Sequence, residues 1–504
     1  MDPATRVVVN TSAQYVKTII NVLLSMYSTR LILALLGSSD YGIYSLVAGV
    51  VAMLSFVSNA LVVSTQRFLS FYQGKGDAGK LKNIFNDSEV LHLALGVLIT
   101  VVLLAVTPLL FNGFLEIPAE RLPTARSLYA LVVAALFVTL VTAPFKALLI
   151  SHEDIVFVSV IDVLDGVLKV VLVLGLAGLS VDKLLGYGWL LLFIQMFNFG
   201  AYAGVAFARF EECVVPRVSR VSKSSIKEMS SFAGWTVYST GCVLGRTQGV
   251  AILLNKFFGL VANAGLGIAQ QVSAFVSFVS DAVLVALRPQ ITKAEGAGNR
   301  DLMLKLSSEA SKTAVVLLSA LVIPVSIYMQ PLLTFWLGDV PDNAAFFCRM
   351  VIFCSLADSI TTGLNIANQA VGWIKEYSLV VNTTKFMTVP IMLVMLLCGT
   401  SLMGVAICYV GMELLCALIR LPFLKVTAGL KIKSYLTGIL APVLLPILLY
   451  AAILLLFKQV MDIGFIIAFV ISGLLFAVLI YFLALDKEEK AFIRQLACRI
   501  FNRG

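Results

Sequence analysis

Apolar residues in this chain neither alternate nor recur every third or fourth place; they run on, twenty or more at a time. Such runs fall roughly at 14–36, 41–66, 88–111, 127–149, 155–178, 184–208, 230–255, 260–288, 313–337, 345–372, 379–398, 402–424, 435–457 and 463–484. A helix of about 20 apolar residues crosses a hydrocarbon core of about 30 Å, whereas the strands of a membrane barrel would show short alternating segments. The pattern therefore predicts an all-α polytopic membrane protein of about fourteen transmembrane helices, each satisfying its own backbone in lipid. The first of them is expected to act as an uncleaved insertion signal, because the opening residues lack a short apolar stretch with a small-residue cleavage site.

Composition agrees with lipid as the solvent. Of 504 residues, 60% are hydrophobic and only 13% charged, against about 25% charged in a soluble domain. The net charge of +9 could suggest nucleic acid, but its placement excludes that reading. Arg67, Lys75, Lys80 and Lys82, then Arg209, Arg217, Arg220, Lys223 and Lys227, then Arg288, Lys293, Arg300, Lys305 and Lys312, and finally Lys425, Lys431 and Lys433 follow even-numbered spans. The opposite loops hold few cations: Arg121, Arg126, Lys183, Lys256 and Lys458. This asymmetry puts both termini in the cytoplasm and the basic loops against anionic membrane lipids. The eight cysteines are scattered without a C-x-x-C pair, and His92 and His152, the only histidines, lie far apart. No metal or other cofactor is implied. No loop is long enough to fold as a catalytic domain, so an enzyme is not expected.

Two stretches align without a gap at an offset of 222 residues: "LSFVSNALVVSTQRFLSFYQGKGDAGKL" (54–81) and "VSFVSDAVLVALRPQITKAEGAGNRDLM" (276–303). Each contains S-F-V-S-[ND]-A, and each ends in a basic loop with G-x-G, Gly74/Gly76 and Gly296/Gly298. Gly37 falls opposite Gly259 at the same offset. The G-x-G pairs follow membrane helices rather than strands, so they are read as turn glycines and not as a nucleotide fingerprint. Because an even number of spans separates the copies, the chain is expected to form two six-helix lobes related by a pseudo-two-fold axis along the membrane normal. The boundaries are 1–210 for the N-terminal lobe, 211–229 for a basic linker, 230–428 for the C-terminal lobe and 429–504 for two extra helices with a basic tail.

Polar side chains facing lipid are costly, so stripes of them should line the bundle interior. On the tenth span Ser355, Asp358, Thr362, Asn365 and Gln369 recur on one helical face. The eighth carries Gln270, Ser273, Ser277 and Ser280, the seventh Trp235, Ser239, Cys242 and Arg246, and the first Asn21, Ser25 and Ser28 followed by Arg30. Such stripes form a cavity wall or hydrogen-bonded glue between helices. Arginine presents a planar fork of donors suited to phosphate oxygens. Arg30 and Arg246 facing one cavity would make a diphosphate site, with Asn21, Ser25, Gln270, Ser277, Asp358 and Asn365 as further substrate contacts; Arg30 snorkelling to the interface is the competing reading. On the fifth span Asp162, Asp165 and Lys169 share a face. They form either a self-neutralising ion pair or a site for a coupling ion, with Asp358 and Glu413 as the competing acids for that role.

The stretch "STRLILALLGSSDYGIYSLVAGVVAMLSF", with "TQRFLSF" after it, resembles the opening of polysaccharide-biosynthesis flippases. These are the polysaccharide-transporter branch of the multidrug/oligosaccharidyl-lipid/polysaccharide superfamily. Their L-G-x-x-D-Y-G-I-Y turn is present as Leu36, Gly37, Asp40, Tyr41, Gly42, Ile43 and Tyr44. "QGVAILLNKFFGLVANAGLGIAQQV", followed by "RPQITK", is similar to the same branch. The resemblance covers the first, second, seventh and eighth spans. It implies alternating access in a two-lobed bundle of the bacterial cytoplasmic (inner) membrane. The implied cargo is a polyprenyl-diphosphate-linked oligosaccharide moved to the outer leaflet for O-antigen, capsule or exopolysaccharide, with other polysaccharide-assembly proteins as partners. Two readings compete: a cation-coupled multidrug antiporter of the same superfamily, and a membrane enzyme of glycan assembly.

Overall fold

Two glycines divide what would otherwise be the longest helices of the chain. Helix α1 runs Pro3–Ala52 with Gly37 inside it at φ 74, ψ 170, and α7 runs Lys223–Gly296 with Gly259 at φ 82, ψ −176. A helix of 50 or 74 residues would be about 75 or 110 Å long, far beyond a membrane. Positive φ with extended ψ is essentially glycine-only backbone, so each residue ends one helix and begins the next. The two glycines are the pair matched by the internal repeat, and they adopt the same conformation. The computed structural model describes residues 3–52, 55–111, 117–337, 340–460, 465–485 and 490–491.

Between and beyond these long helices lie α2 (Ser55–Lys75), α3 (Ala78–Leu109), α4 (Leu122–Ser151), α5 (Ile155–Ala177) and α6 (Lys183–Arg209). After α7 come α8 (Arg300–Ile327), α9 (Met329–Leu337), α10 (Ala344–Ser359) and α11 (Thr362–Val371). Then follow α12 (Ile374–Tyr377), α13 (Thr383–Leu397), α14 (Leu402–Ala428), α15 (Ile432–Tyr435), α16 (Ala441–Val460) and α17 (Phe465–Leu483). Single π-turns at Ser378–Asn382 and Leu436–Leu440 join α12 to α13 and α15 to α16. The described residues contain no strand.

Nine helices among the described residues are long and apolar enough to cross a membrane, ten if a bent pair is counted as one. The predicted fifth span is a helix of 23 residues, yet its apolar character is interrupted by Asp162, Asp165 and Lys169. The predicted second span is shared between the end of α1 and the start of α2, and 53–54, with the repeat's Leu54, lie outside the described residues. So does most of the tail after 485.

The tenth predicted span is not one helix. Its halves α10 and α11 meet at a 48° bend. The face expected to run straight from Ser355 to Gln369 therefore turns between Ser359 and Thr362. The bend is held from outside: the Ser311 hydroxyl accepts the Gly363 N–H at 2.9 Å, and the Tyr435 hydroxyl donates to the Ile360 carbonyl. A side chain at 363 would collide with the Ser307 carbonyl, so glycine lets α11 lie directly on α8.

The chain divides into two compact units, 1–240 with 288–299, and 241–287 with 300–504. Lipid offers apolar side chains no reason to leave it, so the cores of such units are held by close packing. In unit 1 Ile43, Val47, Leu128, Tyr129, Val133 and Leu184 interlock. In unit 2 Leu254, Leu266, Val322, Phe347 and Met392 do the same, and α16 and α17 attach to α8 through Val315, Ile323, Tyr450, Phe476 and Ile480.

The G-x-G pairs have two roles rather than one. Gly76 and Gly298 are turn glycines, at φ 70 and 74 after the ends of α2 and α7. Gly74 and Gly296, expected to be turn residues too, lie inside those helices and are contact residues.

Candidate functional site

Five ionisable side chains from four helices meet in unit 2. Arg246 on α7 is ion-paired with Glu413 on α14. Lys385 on α13 reaches Glu413 at 2.6 Å and Asp358 on α10 at 3.0 Å. Arg420, two turns beyond Glu413 on α14, reaches Asp358 at 2.8 Å and the Thr361 hydroxyl at 3.4 Å. The Tyr409 ring lies under the Arg246 guanidinium at 4.5 Å and holds it flat. Burying one unpaired charge is prohibitive, whereas a chain of alternating signs with short contacts is tolerated. This chain borders a cavity of about 420 Å³ whose walls include Arg246, Gln270, Ser277, Asp358, Lys385 and Glu413. Asp281 on α7 lines it as well, so the walls carry both signs.

Unit 1 has a second cavity, of about 360 Å³, lined by Asn21, Ser25, Ser28, Asp162, Asp165 and Lys169 among others. Asp162 is the hub beside it. Lys17 donates to it at 3.2 Å, Lys146 at 3.0 Å and the Tyr202 hydroxyl at 2.7 Å. Asp165 takes the Asn198 amide at 2.6 Å and pairs with Lys169 at 3.4 Å.

The structure thus distributes the sequence-derived candidates over two cavities. Asn21, Ser25, Asp162, Asp165 and Lys169 line the unit 1 cavity; Arg246, Gln270, Ser277, Asp358 and Glu413 line that of unit 2. Arg30 is exposed on α1 and is not among the residues lining the unit 1 cavity, although Thr29 beside it is. Asn365 lies past the α10–α11 bend, away from that wall, where its amide oxygen accepts from Gln369 at 3.5 Å. The wall crosses the bend as far as Thr362, which lines the cavity with Ser355, Asp358 and Ser359, and stops before Asn365. Lys385, Arg420, Lys17 and Lys146 were not singled out from the sequence. Each is a lone cation in an apolar run or at its edge, and that alone was the available signal.

The family-like turn has its own anchor. Arg121 bonds Asp40 and Asp182, each at 2.6 Å, and Asp182 caps α6 by accepting the Leu185 N–H at 3.0 Å. Burial opposes ionisation of Asp182, but the α6 N–H groups and Arg121 outweigh it and hold its carboxyl below the ordinary range.

Comparison with known proteins defines a fold class. No protein-family model matches the chain, and no curated protein matches it. Solved structures do: the fold is that of MATE transporters of the MOP superfamily. A MATE in its bent conformation superposes with a TM-score of 0.75 at 16% identity, over 86% of this chain and 97% of that one. A multidrug resistance MATE family transporter of the MOP superfamily, outward-facing, gives 0.70 at 16% identity over 85% and 96%. A MOP superfamily transporter from Pyrococcus furiosus, described as having a binding pocket of reverse polarity that suggests a different function, gives 0.70 at 16% identity over 86% and 97%.

Proposed function

We propose that the chain is a multi-pass membrane transporter working by alternating access, and that its cargo is a polyprenyl-diphosphate-linked oligosaccharide. The observation that carries the cargo reading is the bonded network at the unit 2 cavity. It sets three cations, Arg246, Lys385 and Arg420, against two carboxylates. Guanidinium groups bind phosphate oxygens through paired N–H donors, and an arriving diphosphate can take over contacts that Asp358 and Glu413 satisfy in its absence. Gln270 and Ser277 on the same walls supply neutral hydrogen bonds of the kind sugar hydroxyls use. The distribution of basic loops supports a bacterial inner-membrane protein with both termini in the cytoplasm.

A second reading is a cation-coupled multidrug antiporter. The fold neighbours support it better than they support the flippase, since one of them is described as a multidrug resistance transporter. Asp281, Asp358 and Glu413 on the cavity walls would suit a cationic cargo.

Removing the gene from its host and quantifying lipid-linked glycans by mass spectrometry separates the two. Accumulated polyprenyl-diphosphate-linked units with less surface polysaccharide, reversed by wild type and not by Lys385→Ala, support the flippase. Unchanged lipid-linked glycan together with dye sensitivity supports the antiporter.

A further inference from the structure

Helix α3 buries two titratable groups that neither cavity uses. Glu89 is 4% exposed and His92 is fully buried, and at i, i+3 they share a face of the helix. The His92 Nδ1 lies 2.8 Å from the Ser88 carbonyl oxygen. A carbonyl only accepts, so Nδ1 carries the hydrogen and Nε2 presents a lone pair. That Nε2 is buried without a hydrogen-bond partner, and so is Oε1 of Glu89. On the facing helix α2 the Gln66 amide nitrogen and the Ser70 hydroxyl are also buried and unpartnered. The Thr65 and Ser88 hydroxyls, 2.7 Å apart, join the two helices there.

The surrounding charges are engaged elsewhere. On α3 itself Asp87 accepts the Ser222 N–H at 3.2 Å, Lys80 donates to Ser225 and Lys82 faces Glu211. On α2, Arg67 stacks over Phe68 and Phe232, and Lys75 lies over Phe71. On α4, Lys146 is committed to Asp162, and His152, just past its end, to Glu212. From the loop after α6, Arg217 meets Asn86 through its backbone N–H. The same loop carries Cys213, whose thiol burial pushes up to about 12. No ion pair to Glu89 exists among the described residues.

A carboxylate with no countercharge in such a place is strongly disfavoured, while a carboxylic acid needs only an acceptor. We propose that Glu89 is a proton-binding site, its carboxyl carrying the proton in a buried, uncharged pocket that it shares with His92 on the same face of α3. The balance is simple: one proton joins the carboxylate on loading and leaves it on release, with no other bond changed. That this proton drives transport rests on the transporter reading above; the site itself does not.

The test is pH-difference infrared spectroscopy of the purified full chain in lipid nanodiscs. Wild type is expected to show a carboxylic-acid C=O band at neutral pH that Glu89→Gln lacks. Glutamine is neutral and nearly isosteric, so that variant should fold. His92→Gln keeps Glu89 and should move the band's frequency and its pH midpoint, which preserves the test should the first variant be unstable. Identical neutral-pH bands in wild type and Glu89→Gln would overturn the site. A band indifferent to His92→Gln would overturn the shared pocket. Neither outcome depends on any cargo being moved.

Discussion

Gly74 packs so closely on Lys293 that a Cβ at 74 would lie 2.0 Å from the Lys293 carbonyl oxygen, and a Cβ at Gly296 would lie 2.0 Å from that of Phe71. The repeat offset carries 74 to 296 and 71 to 293, so the two contacts are one contact made twice, as a two-fold relation demands. Glu153 braces it, accepting from Lys293 at 2.9 Å and from Gln290 at 3.0 Å.

Alanine at Gly74 or at Gly296 is expected to force the backbones apart at a cost of about 1–3 kcal/mol. Alanine at Gly76 meets no neighbour and should cost only the left-handed conformation, about 1–2 kcal/mol. Thermal unfolding in lipid checks both. Gly74→Ala melting with wild type would mean the contact is looser than described.

Breaking the unit 2 network from one side leaves a buried charge unpaired. Glu413→Ala should destabilise by about 3–5 kcal/mol, because Arg246 loses its carboxylate and Lys385 one of its two. The double variant Arg246→Met, Glu413→Leu should recover part of that loss. Non-additivity in a double-mutant cycle is the readout; simple additivity would show that the pair is not coupled.

Acid should weaken the loop after α6. The His152 imidazole bonds Glu212 and stacks on Phe210 at 4.0 Å. Burial opposes ionisation of Glu212, but the His152 bond and the local backbone N–H outweigh it, so its carboxyl lies below the ordinary 4.5. A carboxyl depressed on folding contributes stability above its unfolded value and loses it as pH falls through the folded one. Glu212→Gln should therefore be less stable than wild type at neutral pH, with the gap closing below about pH 4. A gap constant down to about pH 3 would contradict the contact.

Among the described cysteines Cys398 is the exposed one, and Cys213, Cys242, Cys348, Cys354, Cys408 and Cys416 are buried. In a Cys498→Ser background, maleimide should label Cys398 alone at neutral pH, since Cys213 also keeps its proton. Rapid labelling of Cys213 would place that loop in water.

Much of the fold could be read before any coordinates. Lipid imposes one solution on an apolar run, so helices follow from length, and Gly37 and Gly259 mark breaks because only glycine takes that backbone. The bend after Ser359 was not legible: no proline or glycine stands at Ile360 or Thr361, and the bend is held by Ser311 and Tyr435 from distant helices. The site was half legible. Polar stripes pointed to walls that exist, but pairings such as Arg246 with Glu413, 167 residues apart, are set by packing between helices. A single lysine at 385 says nothing of the two carboxylates it joins.

The central claim is best tested in liposomes holding the purified chain and a fluorescent lipid with a diphosphate head group, with quenching from outside reporting movement between leaflets. Parallel vesicles contain ethidium. Movement of the diphosphate lipid by wild type, lost with Lys385→Ala and unaccompanied by ethidium transport, is the result predicted. Ethidium transport with a static diphosphate lipid would contradict it and make the chain a drug exporter.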